Sequence, residues 1–190
     1  MTSTRPPQPP QPDAVDAIVA QWAGQRPELD TRAMEIFGRI YRLSAQMGER
    51  MDTAYAPYGI SRGEFDVLAA LRRSGAPYRL APKDLARSLM ITTGGMTGRL
   101  TRLTEAGLIR RVPHPGDRRC LHAELTDAGL ELVDEAVVAG VDAQAVVAER
   151  LGEEQTRALA DHLRAALQIL TTAPPHAPGG APAGRPGPRT

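Results

Sequence analysis

Cysteine is almost missing from this chain of 190 residues: Cys120 stands alone, so no internal disulfide framework can form. Aromatic residues are scarce as well, with two phenylalanines, four tyrosines and a single tryptophan, Trp22. No apolar run is long enough to cross a bilayer, and the first residues lack the charged, apolar and small-residue order of a signal peptide. A cytoplasmic protein with no membrane partner is the expectation. Patterns that carry reaction chemistry are missing too. No glycine-rich phosphate loop follows a strand, the carboxylates and histidines are scattered, and no nucleophile stands beside a base in an evident pattern. The chain is therefore read as a non-enzyme with no cofactor.

Nor is there a large charge of either sign: the formal net charge is +1. Its distribution is uneven. Between Arg99 and Arg119 six arginines (99, 102, 110, 111, 118 and 119) meet only Glu105 and Asp117, a local excess of four positive charges. Such clustering is the footprint of a nucleic-acid contact on a near-neutral chain, and equally of a solvated arginine-rich face. Proline and glycine are plentiful and crowd the ends. Residues 1–12, of proline and glutamine, and 171–190, of alanine, proline and glycine, cannot bury enough to offset the entropy of ordering. Both are expected to be disordered tails around one domain at 13–170.

Within that domain, residues 13–25 form a short helical pattern carrying Trp22, and "RPELD" breaks it. From Thr31 to Tyr55, Met34, Phe37, Tyr41, Met47, Met51 and Tyr55 recur at steps compatible with one helix face. Ser61 and Glu64 form a capping box that starts a helix running to about Arg73. A shorter helix follows Pro82, carries Leu85, Leu89 and Met90, and stops at Ile91. Thr92 then caps a helix to about Ala106, with Gly107 and Leu108 as a glycine C-cap and its apolar contact. Two strand candidates, "LIRRV" and the alternating Leu121, Ala123 and Leu125, flank the turn "PHPGD". Thr126 caps the next helix, and the chain stays helical through Leu170, with Leu151, Leu159, Leu163, Leu167 and Leu170 on a stripe. The order predicts a mainly α (α+β) fold: a winged helix-turn-helix at 56–126 between long dimerisation helices at 13–55 and 127–170. Long helices without an evident partner in their own chain suggest a homodimer.

On a helical wheel, "TTGGMTGRLTRLTEAGL" buries Met96, Leu100 and Leu103 and turns Gly94, Gly98, Thr101 and Arg102 the other way. Each of those glycines costs a helix roughly 1 kcal/mol relative to alanine, so something must approach closely to compensate. Small groups, hydroxyls and an arginine suit the edges and phosphates of a DNA major groove; helix packing through small residues is the alternative. Arg99 lies about 60° from Met96 on that wheel and should point partly inward, where it needs an anion or an acceptor.

The segments "GISRGEFDVLAALRRSG", "LAPKDLARSLMITTGGMTGRLTRLTEAGLIRR", "PGDRR" and "ELTDAG" together resemble the MarR family of bacterial transcription regulators, over roughly residues 31–170. The resemblance implies a homodimer that binds double-stranded DNA at a palindromic operator, bacterial and nucleoid-associated, most simply as a repressor. Recognition-helix contacts would come from Thr92, Thr93, Gly94, Gly95, Thr97, Gly98, Thr101 and Arg102. In the wing, Asp117 would brace Arg118, a phosphate contact, and Arg119, a minor-groove contact. The N-terminal segment is similar to the extra first helix of the urate-responsive (PecS- and HucR-like) branch. That branch carries a tryptophan, an aspartate and two arginines at positions matched here by Trp22, Asp66, Arg99 and Arg111. The resemblance then implies a small anionic ligand, urate or a related purine. Arg99 would pair with its charge and Trp22 would supply a flat wall. The anion would perturb Asp66, Arg111 would help balance charge, and the recognition helix would shift.

Other readings stand beside these. Trp22 can be core or interface, Asp66 can pair with Arg62 or Arg73 at the surface, and Arg111 can take a phosphate. A tricarboxylate or a guanine nucleotide could use the same arginines. Peroxide sensing is disfavoured, because that mode needs a reactive cysteine in an N-terminal helix and none stands there. A winged helix used only for protein contacts would show no salt-dependent DNA binding. A metal site is disfavoured: Cys120 and His122 are two apart on a strand and His114 lies across a turn, with no fourth ligand indicated. Replacing Arg119 by alanine should weaken DNA binding in an anisotropy titration while gel filtration shows an intact dimer.

Overall fold

The computed structural model describes residues 11–114 and 117–172, with side chains placed for 11–113 and 121–172. The elements run α1 (Ala14–Gln25), α2 (Arg32–Tyr55), a 3-10 turn (Ala56–Tyr58), α3 (Arg62–Arg73), β1 (Arg79–Leu80), α4 (Pro82–Ser88) and α5 (Thr93–Glu105). Then come β2 (Ile109–His114), β3 (Asp117–Leu125), α6 (Asp127–Leu151) and α7 (Glu153–Thr172). This is the expected mainly α arrangement with a helix-turn-helix (α4, α5) followed by a hairpin. The sheet has three antiparallel strands in the order β1-β3-β2. The two-residue β1 is too short to leave a periodic signature, and it was absent from the sequence reading. The chain falls into two compact units, one through Gln144 and one from Ala145, the boundary lying within α6.

The core of the first unit gathers Met51 and Tyr55 from α2, Val67, Leu68 and Leu71 from α3, and Leu85 from α4. Met96, Leu100 and Leu103 of α5 join them, each 1% exposed, with Ile109, Ala123 and Leu125 of the hairpin and Val133 of α6. Burying such side chains stabilises by roughly 1.5–3 kcal/mol apiece, which makes α5 a rigid part of the body. Local chemistry sets its ends. The Thr92 hydroxyl accepts the Gly95 N–H at 3.2 Å, and Gly107 turns left-handed (φ 71°) as Leu108 N–H closes onto Leu103 O at 3.0 Å.

One stripe stays largely uncovered and another is interrupted. On α2 only Met51 and Tyr55 are buried; Met34, Phe37 and Tyr41 are exposed, although the N-terminal half meets α1 through Val15 on Gly38. The leucine stripe predicted from Leu151 to Leu170 is divided by Gly152 (φ 82°) between α6 and α7, and no residue of α7 is buried. Past Ser88 the chain leaves the α4 helix: Met90 takes a left-handed φ of 52° and is 92% exposed, so it is not on the α4 apolar face. The tight turn into the Thr92 cap requires that reversal, with Ile91 N–H reaching back to Ala86 O at 3.1 Å. Residues 1–10 and 173–190, most of the two expected tails, lie outside the described residues.

One turn explains the "ELTDAG" segment physically. Thr126 N–H donates to Leu108 O at 3.1 Å, its hydroxyl donates to Gly107 O at 2.7 Å, and the same oxygen accepts Gly129 N–H at 3.1 Å. Gly129 thereby sits so close to the Leu108 carbonyl that any Cβ would overlap that backbone oxygen. Gly129→Ala should therefore destabilise the fold by about 1–3 kcal/mol, the usual cost of overpacking, read as a lower urea midpoint. An unchanged midpoint would mean that the turn yields without cost.

Candidate functional site

The outward face of α5 opposes its buried stripe. Thr92, Thr93, Gly94, Gly95, Thr97, Thr101 and Arg102 are exposed and Gly98 is half-buried. A Cβ at Gly94 would meet nothing within 4 Å, and one at Gly98 only the far end of Arg102. So no helix among the described residues is packed on these glycines, and helix packing within that part of the chain does not explain them. Thr97 and Thr101 turn their hydroxyl protons back onto Thr93 O and Thr97 O, both at 3.0 Å, leaving methyls and lone pairs outward. First-turn acids, which would repel an anion, are absent from α5.

The two arginines of α5 are held by the first turn of α3. Arg99 is half-buried, lies across Gly63 and donates to Gly63 O at 3.2 Å; a Cβ on Gly63 would come within 2.7 Å of the guanidinium carbon. This is the partly inward placement that the wheel implied. Arg102 is 59% exposed yet donates from Nε to Glu64 Oε1 at 2.5 Å. The other carboxylate oxygen of Glu64 accepts Ser61 N–H at 2.9 Å and Ser61 O–H at 2.8 Å, completing the capping box. Burial works to raise the Glu64 pKa, but the Ser61 N–H, the Arg102 guanidinium and the Ser61 hydroxyl outweigh it and hold it below the ordinary range.

The opposite side of that turn faces a cleft of about 320 Å³ lined by Met47, Met51, Tyr55, Arg62, Phe65, Asp66 and Gln144. Phe65 stacks on Tyr55 with centroids 4.2 Å apart and planes 17° from parallel, giving a flat wall. Burial, assisted by the Asp66 charge and opposed by Arg62, pushes the Tyr55 hydroxyl up to about 12, so it stays a donor at neutral pH. Asp66 is half-buried and has no hydrogen bond or ion pair among the described residues. Burial raises its pKa against the opposing charges of Arg62, Arg99 and Arg73.

Of the four residues expected around one ligand, the chain lines this cleft with Asp66 only. Arg99 is near enough for its charge to act on Asp66. Trp22 is 42% exposed on α1, which packs against α2, and is not in the cleft wall. Arg111 sits half-buried on β2 opposite Ala123, on the other side of the strand from Arg110, and is not in the wall either. The sequence reading missed Tyr55, Phe65 and Gln144 as cleft residues. The periodicity places Tyr55 on one helix face, and no periodicity distinguishes a core position from a cleft wall.

At the base of the hairpin, Glu124 is 3% exposed and pairs with both Arg79 and Arg110. The register makes this a row across the sheet, Arg79 opposite Glu124 on one side and Arg110 opposite it on the other. Burial works against the Glu124 charge, and the two guanidinium groups win, leaving its pKa below the ordinary glutamate value of 4.5. Asp117, Arg118 and Arg119, the wing residues of the sequence reading, lie outside the residues whose side chains are described, as does Cys120.

Comparison with known proteins places these features in context. The model of the MarR family matches residues 58–119. The chain is 39% identical over 150 residues to the HTH-type transcriptional regulator PecS of Dickeya dadantii, covering 79% of this chain and 88% of that protein. It is 26% identical over 137 residues to the HTH-type transcriptional repressor YetL of Bacillus subtilis, covering 72% and 81%. Among solved structures, a mutant MarR from E. coli complexed with operator DNA superposes with a TM-score of 0.65 at 22% identity, covering 72% of this chain and 96% of that one. AbsC of Streptomyces coelicolor, a MarR family transcriptional regulator, gives 0.66 at 22% identity, covering 76% and 99%.

The Glu124 brace has a pH signature. A carboxylate whose folded pKa is lowered contributes stability above about 4.5, its unfolded value, and loses it as pH falls through the folded value. Glu124→Gln should lower stability at pH 7 and flatten the acid-induced loss below that point, measured by urea unfolding at a series of pH values. Parallel acid profiles for variant and parent would count against the brace.

Proposed function

The chain belongs to the MarR family of transcriptional regulators, DNA-binding proteins and not enzymes, and from that premise we propose an operator-binding repressor released by a small anion. It binds double-stranded DNA as a homodimer at a palindromic site, with α5 in the major groove and the β2–β3 hairpin as the wing. The observation that carries the reading is the outward face of α5, whose threonines are exposed and whose Gly94 and Gly98 meet no other element among the described residues. A helix anchored by Met96, Leu100 and Leu103 and presenting such a face suits close approach to base edges and phosphates. Thr92, Thr93, Gly94, Gly95, Thr97, Gly98, Thr101 and Arg102 are its proposed contacts, with Arg118 and Arg119 in the wing and Asp117 bracing them.

Dimerisation is supported by exposed apolar side chains that a monomer would leave in water: Ile18, Trp22, Met34, Phe37 and Tyr41 on α1 and α2, and separately Leu159, Leu167 and Leu170 on α7. The effector is proposed to be urate or a related purine, bound near the cleft beside Asp66 with Arg99, Trp22 and Arg111 as further ligand residues. A flat aromatic wall and a half-buried carboxylate of raised pKa favour a planar, hydrogen-bonding anion over a flexible tricarboxylate. Anion binding near Asp66 would shift the α3–α5 contact toward a DNA-incompetent arrangement.

Affinity for DNA should fall steeply with salt, since each neutralised phosphate releases counterions; a flat salt profile with no footprint would overturn the DNA reading. Urate, xanthine, citrate and a guanine nucleotide, titrated against the DNA complex, should release it in an order led by the purines. Arg99→Ala should abolish the urate response while the fold is kept, checked by thermal melting. An undiminished response in that variant would move the effector site elsewhere.

A further inference from the structure

We propose that Glu64 is a positioning residue for operator discrimination, holding Arg102 of the recognition helix by one edge of its guanidinium. The inference rests on the DNA-binding reading of α5. Nothing in the capping role of Glu64 demands a partner on another helix, because one carboxylate oxygen serves Ser61 and the other is given wholly to Arg102. The pairing uses Arg102 Nε at 2.5 Å and leaves both Nη groups without a hydrogen-bond partner among the described residues. A guanidinium fixed along one edge keeps its remaining donors in a set direction, which is what bidentate recognition of a guanine edge or a phosphate needs. An arginine free in solvent would instead lose its rotamer entropy on binding.

The carboxylate is also well placed to resist displacement. Glu64 is buried, pinned at its far oxygen by Ser61, and belongs to a helix that is buried from Val67 to Leu71. Gly63 holds Arg99 from the adjacent position, so the same turn of α3 sets both arginines of α5. Phe65 and Asp66, one and two residues further on, line the cleft. Any rotation of that turn moves the Arg102 anchor with it.

The test uses the full-length protein and the duplex it enriches from a random-sequence library, against a scrambled duplex of equal length. Glu64→Gln keeps a side chain competent for the capping box but removes the charge that holds Arg102. The ratio of affinities for enriched over scrambled duplex should fall about ten-fold, a single bidentate contact's share of discrimination. In an Arg102→Ala background the same change should have no further effect on the ratio. If Glu64 merely repels DNA, Glu64→Gln will tighten both duplexes equally and leave the ratio unchanged, and the proposal fails. Arg102→Lys, an exposed substitution that loses the planar edge, reads the pairing from the other side should Glu64→Gln not fold. A lysine variant with an intact ratio also overturns the proposal. Should the wild-type protein enrich no duplex at all, the DNA-binding reading is what fails.

Discussion

Burial of the Met96, Leu100 and Leu103 stripe is the constraint on which the rest of the molecule depends. With those three side chains closed off from water, the rotation of α5 about its own axis is fixed. Glycines and threonines must then face outward, and the arginines at 99 and 102 must fall on either side of α3's first turn. The Thr92 and Gly107 caps set where the helix begins and ends, so the hairpin leaves it at a defined point. The Thr126–Gly129 turn locks the return of the hairpin onto that same exit, through the Leu108 carbonyl.

Electrostatics in this chain follow one device used twice. A buried glutamate is kept ionised with the help of arginines that remain partly in solvent: Glu64 by the Ser61 N–H and Arg102, and Glu124 by Arg110 and Arg79. Removing a carboxylate of this kind leaves its cations crowded, whereas the exposed pairs of Arg39 with Asp13 and Asp16 contribute little net stability. Both glutamates anchor arginines in the segment rich in positive charge. The local excess noted from the sequence is thereby partly neutralised from below and kept available outward. Asp66 is the exception, a half-buried carboxylate with no such partner, and it lies in the cleft.

Helix limits were legible because they are local. Ser61 with Glu64, Thr92, Gly107 and Thr126 each act within a few residues, and each end falls where its cap demands. The α5 stripe was legible for a related reason, a short period repeated on one helix. Less local features were missed or only half seen. The Glu124 row needs a strand register that joins residues 45 and 14 positions apart. The pattern carries the helix after Pro82 through Met90, but a turn that begins past Ser88 overrides it. Of the four residues matched to an effector-responsive branch, Asp66 and Arg99 are brought into electrostatic range, while Trp22 and Arg111 are not in the cleft wall.

What the sequence determined alone was the set of elements, their caps, the inward face of α5 and the charge bias of the segment that follows it. All of these rest on interactions within one or two helical turns or on simple sums of charge. Only the tertiary structure decided which glutamate meets which arginine, which apolar residues wall a cleft instead of a core, and which stripes stay uncovered. Those outcomes depend on how helices distant in sequence pack and on strand register, and neither leaves a periodic trace in the chain.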